Sequence, residues 1–186
     1  PYNHLPFKIE KGDKQFVDCL PIDKFESIKR LHLQYDYLAK ARDLFLMQCY
    51  TGLAYSDLMA FDFTKCKQAD GKYYYHAKRV KTDTDFTFQL LAGAVSVLKK
   101  YNFKLPCISN QKYNEYLKVI GMMVNVPNLH SHMGRATAAT LFLSFGMPLN
   151  VVAKVLGHTN IRQTQRYART LNKDVYSAFD NIDGKF

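Results

Sequence analysis

Between residues 61 and 90 the apolar residues recur at every second position, whereas before and after that segment they recur about every 3.6 residues. A chain patterned in this way must enclose a short sheet within a helical body. In the period-two segment, Phe61, Phe63 and Thr64 lead to an Asp70-Gly71 turn, residues 72–80 form a second strand, residues 83–85 turn again, and Phe86, Phe88 and Leu90 alternate in a third. The expected fold class is α+β, mainly helical, with a small three-stranded antiparallel sheet.

Helical periodicity places the remaining elements. Ile22, Phe25, Ile28 and Leu31 form a stripe over 22–32, headed by Asp23 and Glu26 in the spacing of a capping box. A second helix runs from about Tyr37 to Tyr50 and stops at Gly52, and Ser56 or Asp57 can cap a short helix over Leu58 and Met59. Beyond the sheet, helices are expected near 92–101, 110–123, 133–145, 148–156 and 160–169, with Pro148 in a first turn and Gly157 as a stop. Residues 1–15 show no period and read as an arm or linker, leaving 16–186 as one domain; residues 174–186 form a short amphipathic tail.

The 186 residues suffice for one sizeable core, and 47% apolar with 23% charged residues is the composition of a folded, soluble domain. No apolar run approaches a membrane span, and the first residues lack the features of a secretory signal. Cys19, Cys49, Cys66 and Cys107 lie too far apart to suggest a zinc framework or a disulfide scaffold, so intracellular, reduced thiols are expected. A net charge of +10 makes a polyanion the natural partner.

The segment from Leu129 to Thr170 carries the densest chemistry: His132-x-x-Arg135, then Leu156-Gly157-His158, then Tyr167 nine positions after His158. This order resembles the tyrosine recombinase, or phage integrase, family, and within it the integrases of Bacteroides-type mobile elements. Upstream, RDLFLMQCYTGLAYSDL is similar to the family's first catalytic box, and RVKTDTDF to its β-hairpin lysine box, so that the resemblance extends from Arg42 to Tyr167. It implies site-specific recombination or integration of double-stranded DNA, self-association on DNA, no cofactor and a bacterial, cytoplasmic setting at the nucleoid. It also implies a DNA-clamping domain ahead of the catalytic one, which this sequence does not contain.

The chemistry accounts for the residue types. A phosphodiester attacked by a phenol passes through a highly negative phosphorane-like state, which needs fixed cationic donors around its equatorial oxygens. Arg135 supplies a planar fork that stays charged, and His132 and His158 can donate to phosphate or move a proton. The resemblance assigns His132 to proton handling and His158 to phosphate stabilisation. Lys81, at a strand end, is suited to protonating the departing 5′ oxygen. A phosphotyrosine stores the energy of the broken bond, so neither ATP nor a metal is required.

At the position where the family carries its first catalytic arginine this chain has Ala54. Arg79 or Arg42 could replace it. Arg79 stands two residues before Lys81, so a regular strand would project both from one face, which favours Arg79. Four other readings bear on the same residues. Residues 148–168 also fit a helix-turn-helix with Arg162, Thr164 and Gln165 facing bases and Tyr167 in the core. A type IB topoisomerase-like enzyme would share the chemistry, and a DNA-binding regulator that has lost its first arginine would share the fold. His130 and His132 could be offered as a metal pair, but no carboxylate or cysteine lies beside them in sequence.

Overall fold

The structure is a computed structural model and describes residues 18–168; the expected arm at 1–15 and the tail at 174–186 lie outside the described residues. Among the described residues eight α-helices and three strands follow one another as α1 (Ile22–Arg30), α2 (Asp36–Thr51), α3 (Tyr55–Met59), β1 (Lys67–Ala69), β2 (Lys72–Lys78), β3 (Asp85–Gln89), α4 (Ala92–Lys100), α5 (Asn110–Met123), α6 (Ser131–Ser144), α7 (Leu149–Leu156) and α8 (Arg162–Ala168).

Helix α2 is the centre of the core. Leu38, Ala41, Leu44, Phe45, Met47 and Cys49 are all buried, and α4, α5 and α6 pack around it. Because it is surrounded on several sides, even polar residues of this helix, Asp43, Gln48 and Thr51, are buried. Gly52 ends it in the left-handed conformation, with φ 71°. Helix α6 comes close to α2 because it presents small residues. A Cβ on Gly134 would lie 2.9 Å from the Cβ of Gln48, and Ala138 and Ala139 are fully buried.

The sheet is antiparallel with strand order β1-β2-β3, and its turn at Asp70-Gly71 falls where the sequence places it. Tyr75, Phe86 and Phe88 form its buried face, against which α7 packs. Ladder pairing of β2 with β3 ends at Lys78 opposite Asp85.

Four local expectations are corrected. The strand expected from Phe61 is a 3-10 turn over Phe63–Lys65, because the Asp62 carboxylate accepts from the Thr64 backbone and hydroxyl and outcompetes a ladder; β1 starts only at Lys67. The two-residue spacing of Phe61 and Phe63 serves aromatic packing, on Tyr75 at 4.7 Å and on Tyr73 at 5.1 Å between centroids. There is no capping box on α1: Pro21 occupies the N-cap, its carbonyl accepts from Lys24 and Phe25, and Glu26 pairs with Lys29 and Arg30. Neither Ser56 nor Asp57 caps α3, whose N-cap is Ala54, since the Asp57 carboxylate is drawn to partners more than 20 residues away. Pro148 is the N-cap of α7 rather than a residue of its first turn.

Candidate active site

Arg135 sits in the second turn of α6, and its side chain is buried between the ends of two other helices. Its Nη1 donates to the Gly52 carbonyl and its Nη2 to the Leu156 carbonyl, both at 2.8 Å. Those carbonyls stand at the C-terminal ends of α2 and α7, where the helix dipoles are negative, so the backbone itself stabilises the cation. Burial, followed by the nearby Arg79, lowers its pKa to about 10, which leaves it charged at neutral pH. A guanidinium has five N–H donors, and two carbonyl bonds leave the rest of the fork for another acceptor.

Arg79 converges on the same place. Its Nη1 lies 2.5 Å from Asp57 Oδ2, its Nη2 donates to the Leu156 carbonyl that Arg135 also uses, and its guanidinium rests on the Phe86 ring at 4.5 Å. Its Nε is buried without a hydrogen-bond partner among the described residues. Burial pulls its pKa down while Asp57 pulls it up. Gly157 makes room for it: with φ +62° the residue is left-handed, and a Cβ there would come within 2.8 Å of Arg79 Nε. Asp57 serves the hairpin as well, since its Oδ1 accepts from the Val80 backbone at 2.9 Å.

The turn at Gly157 delivers His158, and α8 returns Tyr167 to it. The two rings are nearly parallel, 9° apart with centroids 6.3 Å from each other. His158 Nδ1 lies 2.8 Å from the Thr164 hydroxyl. Burial first, then Arg135, Arg79 and His132, drive the His158 pKa down to about 4, so the ring is neutral at physiological pH. Tyr167 is buried against Ala136, Ala139, Val152 and Leu156, near enough to Arg135 to feel its charge. Burial raises its pKa, and Arg135 opposes that rise most strongly.

Lys81 and His132 share a cleft with Arg135. Together with Ala54, Ser56, Asn110 and Ser131 they line an open cleft of about 210 Å³, of which Arg135 forms part of the wall. His132 is on the exposed rim; partial desolvation, then Arg135 and His130, lower its pKa. Arg79, His158 and Tyr167 do not line this cleft, and Arg135 belongs to both groups.

The premise that Arg79 and Lys81 share a strand face is corrected. The regular ladder stops at Lys78, the chain turns, and Arg79 is buried while Lys81 is exposed. Arg79 meets Arg135 at the shared Leu156 carbonyl instead, held there by Asp57. Arg42 is held elsewhere: its Nε donates to Asp43 at 2.8 Å and its Nη1 to the Leu31 carbonyl at 2.7 Å, with Lys100 and Tyr101 on the other oxygen of Asp43. Thr164 is fully buried, which removes it from any base-reading face. The contribution of Thr164 to the site was missed from sequence, although it lies three residues before Tyr167 and so on the same side of α8.

Among the described residues no helix is long and apolar enough to cross a membrane. Residues 26–174 match the phage integrase family. The tyrosine recombinase XerC of Pseudomonas fluorescens is 25% identical over 189 residues, spanning 92% of this chain and 62% of that protein. The chain therefore covers less than two thirds of that curated relative. In fold, it is similar to the XerH site-specific recombinase in a post-cleavage complex with its difH substrate, with TM-score 0.72 and 19% identity over 91% of this chain and 54% of that one. It is also similar to the catalytic domain of bacteriophage HP1 integrase, with TM-score 0.58 and 17% identity over 88% of this chain and 94% of that one. With the family match extending over most of its length, from α1 to beyond Tyr167, the chain belongs to the phage integrase family.

Proposed function

We propose that this chain is the strand-cleaving domain of a site-specific recombinase or integrase, which breaks and rejoins double-stranded DNA through a covalent 3′-phosphotyrosine at Tyr167. The observation that carries this reading is the convergence of two buried arginines, Arg135 and Arg79, on one carbonyl beside the Tyr167 phenol. Fixed cations at a buried phenol suit a reaction in which negative charge gathers on phosphate oxygens, because they need no reorganisation as the charge develops.

In the proposed reaction the Tyr167 oxygen attacks phosphorus, the bond to the 5′ oxygen breaks, and the enzyme retains the 3′ phosphate. His132 takes the phenolic proton. Lys81, exposed at the end of the hairpin and lining the same cleft as Arg135, gives a proton to the departing oxygen. Arg135, Arg79 and His158 hold the phosphate, with Arg79 in the role left open by Ala54. Asp57 supports that assignment by fixing the Arg79 guanidinium, whereas the engagement of Arg42 with Asp43 and the Leu31 carbonyl favours a structural part for it. Religation reverses these steps without metal or ATP. Strand exchange further requires several copies to assemble on DNA, which sets the work at the nucleoid in the bacterial cytoplasm.

A nicked suicide DNA substrate tests the reading. The wild-type chain should trap a covalent protein–DNA adduct on denaturing electrophoresis. Tyr167→Phe should keep DNA affinity and form none. Adducts that persist on Tyr167→Phe would remove Tyr167 as the nucleophile.

A further inference from the structure

We infer that Thr164 sets which ring nitrogen of His158 carries the hydrogen, making His158 a hydrogen-bond donor through Nε2 toward the phosphate; the functional part of this inference rests on the recombinase reading. Thr164 is a positioning residue in this scheme. It acts only through the histidine.

The geometry begins with a buried hydroxyl. Thr164 is fully buried on α8, and its Oγ1 lies 2.8 Å from His158 Nδ1. Two other buried threonines satisfy their hydroxyl hydrogens within their own helix: Thr51 donates to the Met47 carbonyl at 2.7 Å and Thr140 to the Ala136 carbonyl at 3.0 Å. Thr164 makes no such bond among the described residues, so its hydroxyl is directed to the histidine.

A hydroxyl has one hydrogen to give, and a neutral imidazole has one N–H and one lone pair. If the Thr164 O–H donates to the Nδ1 lone pair, the ring hydrogen is on Nε2 and both groups are satisfied. If Nδ1–H donates to Oγ1, the hydroxyl hydrogen is buried with no acceptor among the described residues, an arrangement that folded proteins avoid. The first arrangement is therefore selected. An imidazolium, which needs a hydrogen on both nitrogens, is disfavoured by the same contact and by the two arginines beside the ring, in keeping with a pKa pushed down to about 4. An Nε2–H ring donates, and a phosphate oxygen only accepts.

Thr164 and Tyr167 are three residues apart on one helix, and the His158 ring lies parallel to the Tyr167 ring. Docking of α8 therefore brings the nucleophile and prepares the histidine in one step.

Nuclear magnetic resonance of the 186-residue chain with isotope-labelled histidine decides the tautomer directly, with His158 assigned from its loss in His158→Asn. The Nε2–H pattern is expected in the wild type, and it should persist in Thr164→Ser. In Thr164→Val it should shift toward the Nδ1–H form or a mixture. Single-turnover cleavage by Thr164→Val should fall about tenfold, as expected for a weakened rather than deleted donor, with DNA affinity unchanged. Thr164→Ser should recover most of that loss. An Nδ1–H pattern in the wild type overturns the proposal, as does an unaltered pattern in folded Thr164→Val. If Thr164→Val fails to fold, the wild-type and Thr164→Ser spectra still decide. A wild type that forms no adduct defeats the recombinase reading, while the spectra separately answer for Thr164.

Discussion

Asp57→Ala isolates the electrostatics that hold Arg79 in place, and it does so without reference to catalysis. Both side chains are almost completely buried, at 4% and 6% exposure, and the carboxylate binds the guanidinium through one oxygen and the Val80 backbone through the other. After the substitution Arg79 keeps the Leu156 carbonyl, which it already shares with Arg135, and its Nε has no partner among the described residues to begin with. An arginine does not relieve such a position by losing its proton, since its pKa lies too high. Removing one member of a buried pair costs about 3–5 kcal/mol, because the other is left as an uncompensated charge. At about 2–4 °C per kcal/mol for a domain of this size, the melting temperature should fall by about 6–20 °C. Thermal and denaturant melts followed by circular dichroism measure it. Adding Arg79→Met to Asp57→Ala should recover stability, giving a coupling on the order of 1–3 kcal/mol, since the second change removes the stranded charge. A single variant that melts within about 2 °C of the wild type, or a double variant that is simply additive, would refute the ion pair as the anchor of Arg79.

Arg79→Ala should lower suicide-substrate cleavage by about two to three orders of magnitude while Arg42→Ala acts mainly on thermal stability; a folded, inactive Arg42→Ala beside an active Arg79→Ala would transfer the role to Arg42. DNA affinity should fall steeply with salt, by a slope of about 0.9 per phosphate contact in a logarithmic plot, with little sequence preference; a salt-independent affinity in filter binding would contradict phosphate-dominated contact. Acidification should destabilise the fold through His158. Its folded pKa of about 4 lies below the ordinary 6.5, so the unfolded chain takes up a proton first; stability is greatest above about 6.5 and declines as the pH falls toward 4. Melts across that range should show a smaller decline in His158→Gln, and an equal decline in the two proteins would exclude His158 as the titrating group.

The sequence alone was sufficient for the elements whose causes are local. The 3.6-residue period located α5 and the left-handed stops of α2 and α7, because contacts within four residues and a missing Cβ are written in adjacent letters. The spacing of His132, Arg135, His158 and Tyr167 was equally legible as a chemical set. Tertiary structure decided how the set is held. Leu156 gives its carbonyl to an arginine 77 residues away and to another 21 residues away, and a backbone carbonyl has no residue type by which a sequence could announce it. Strand alternation proposed the wrong reason for Arg79, since the ladder ends at Lys78 and the burial of Arg79 depends on Asp57, Phe86 and the space left by Gly157. Arg42, as good a candidate by charge, is claimed by Asp43 and the Leu31 carbonyl. Charge and hydrogen-bonding capacity are properties of a side chain, but which partner satisfies them is set by three-dimensional proximity between distant segments, and that exists only once the chain has folded.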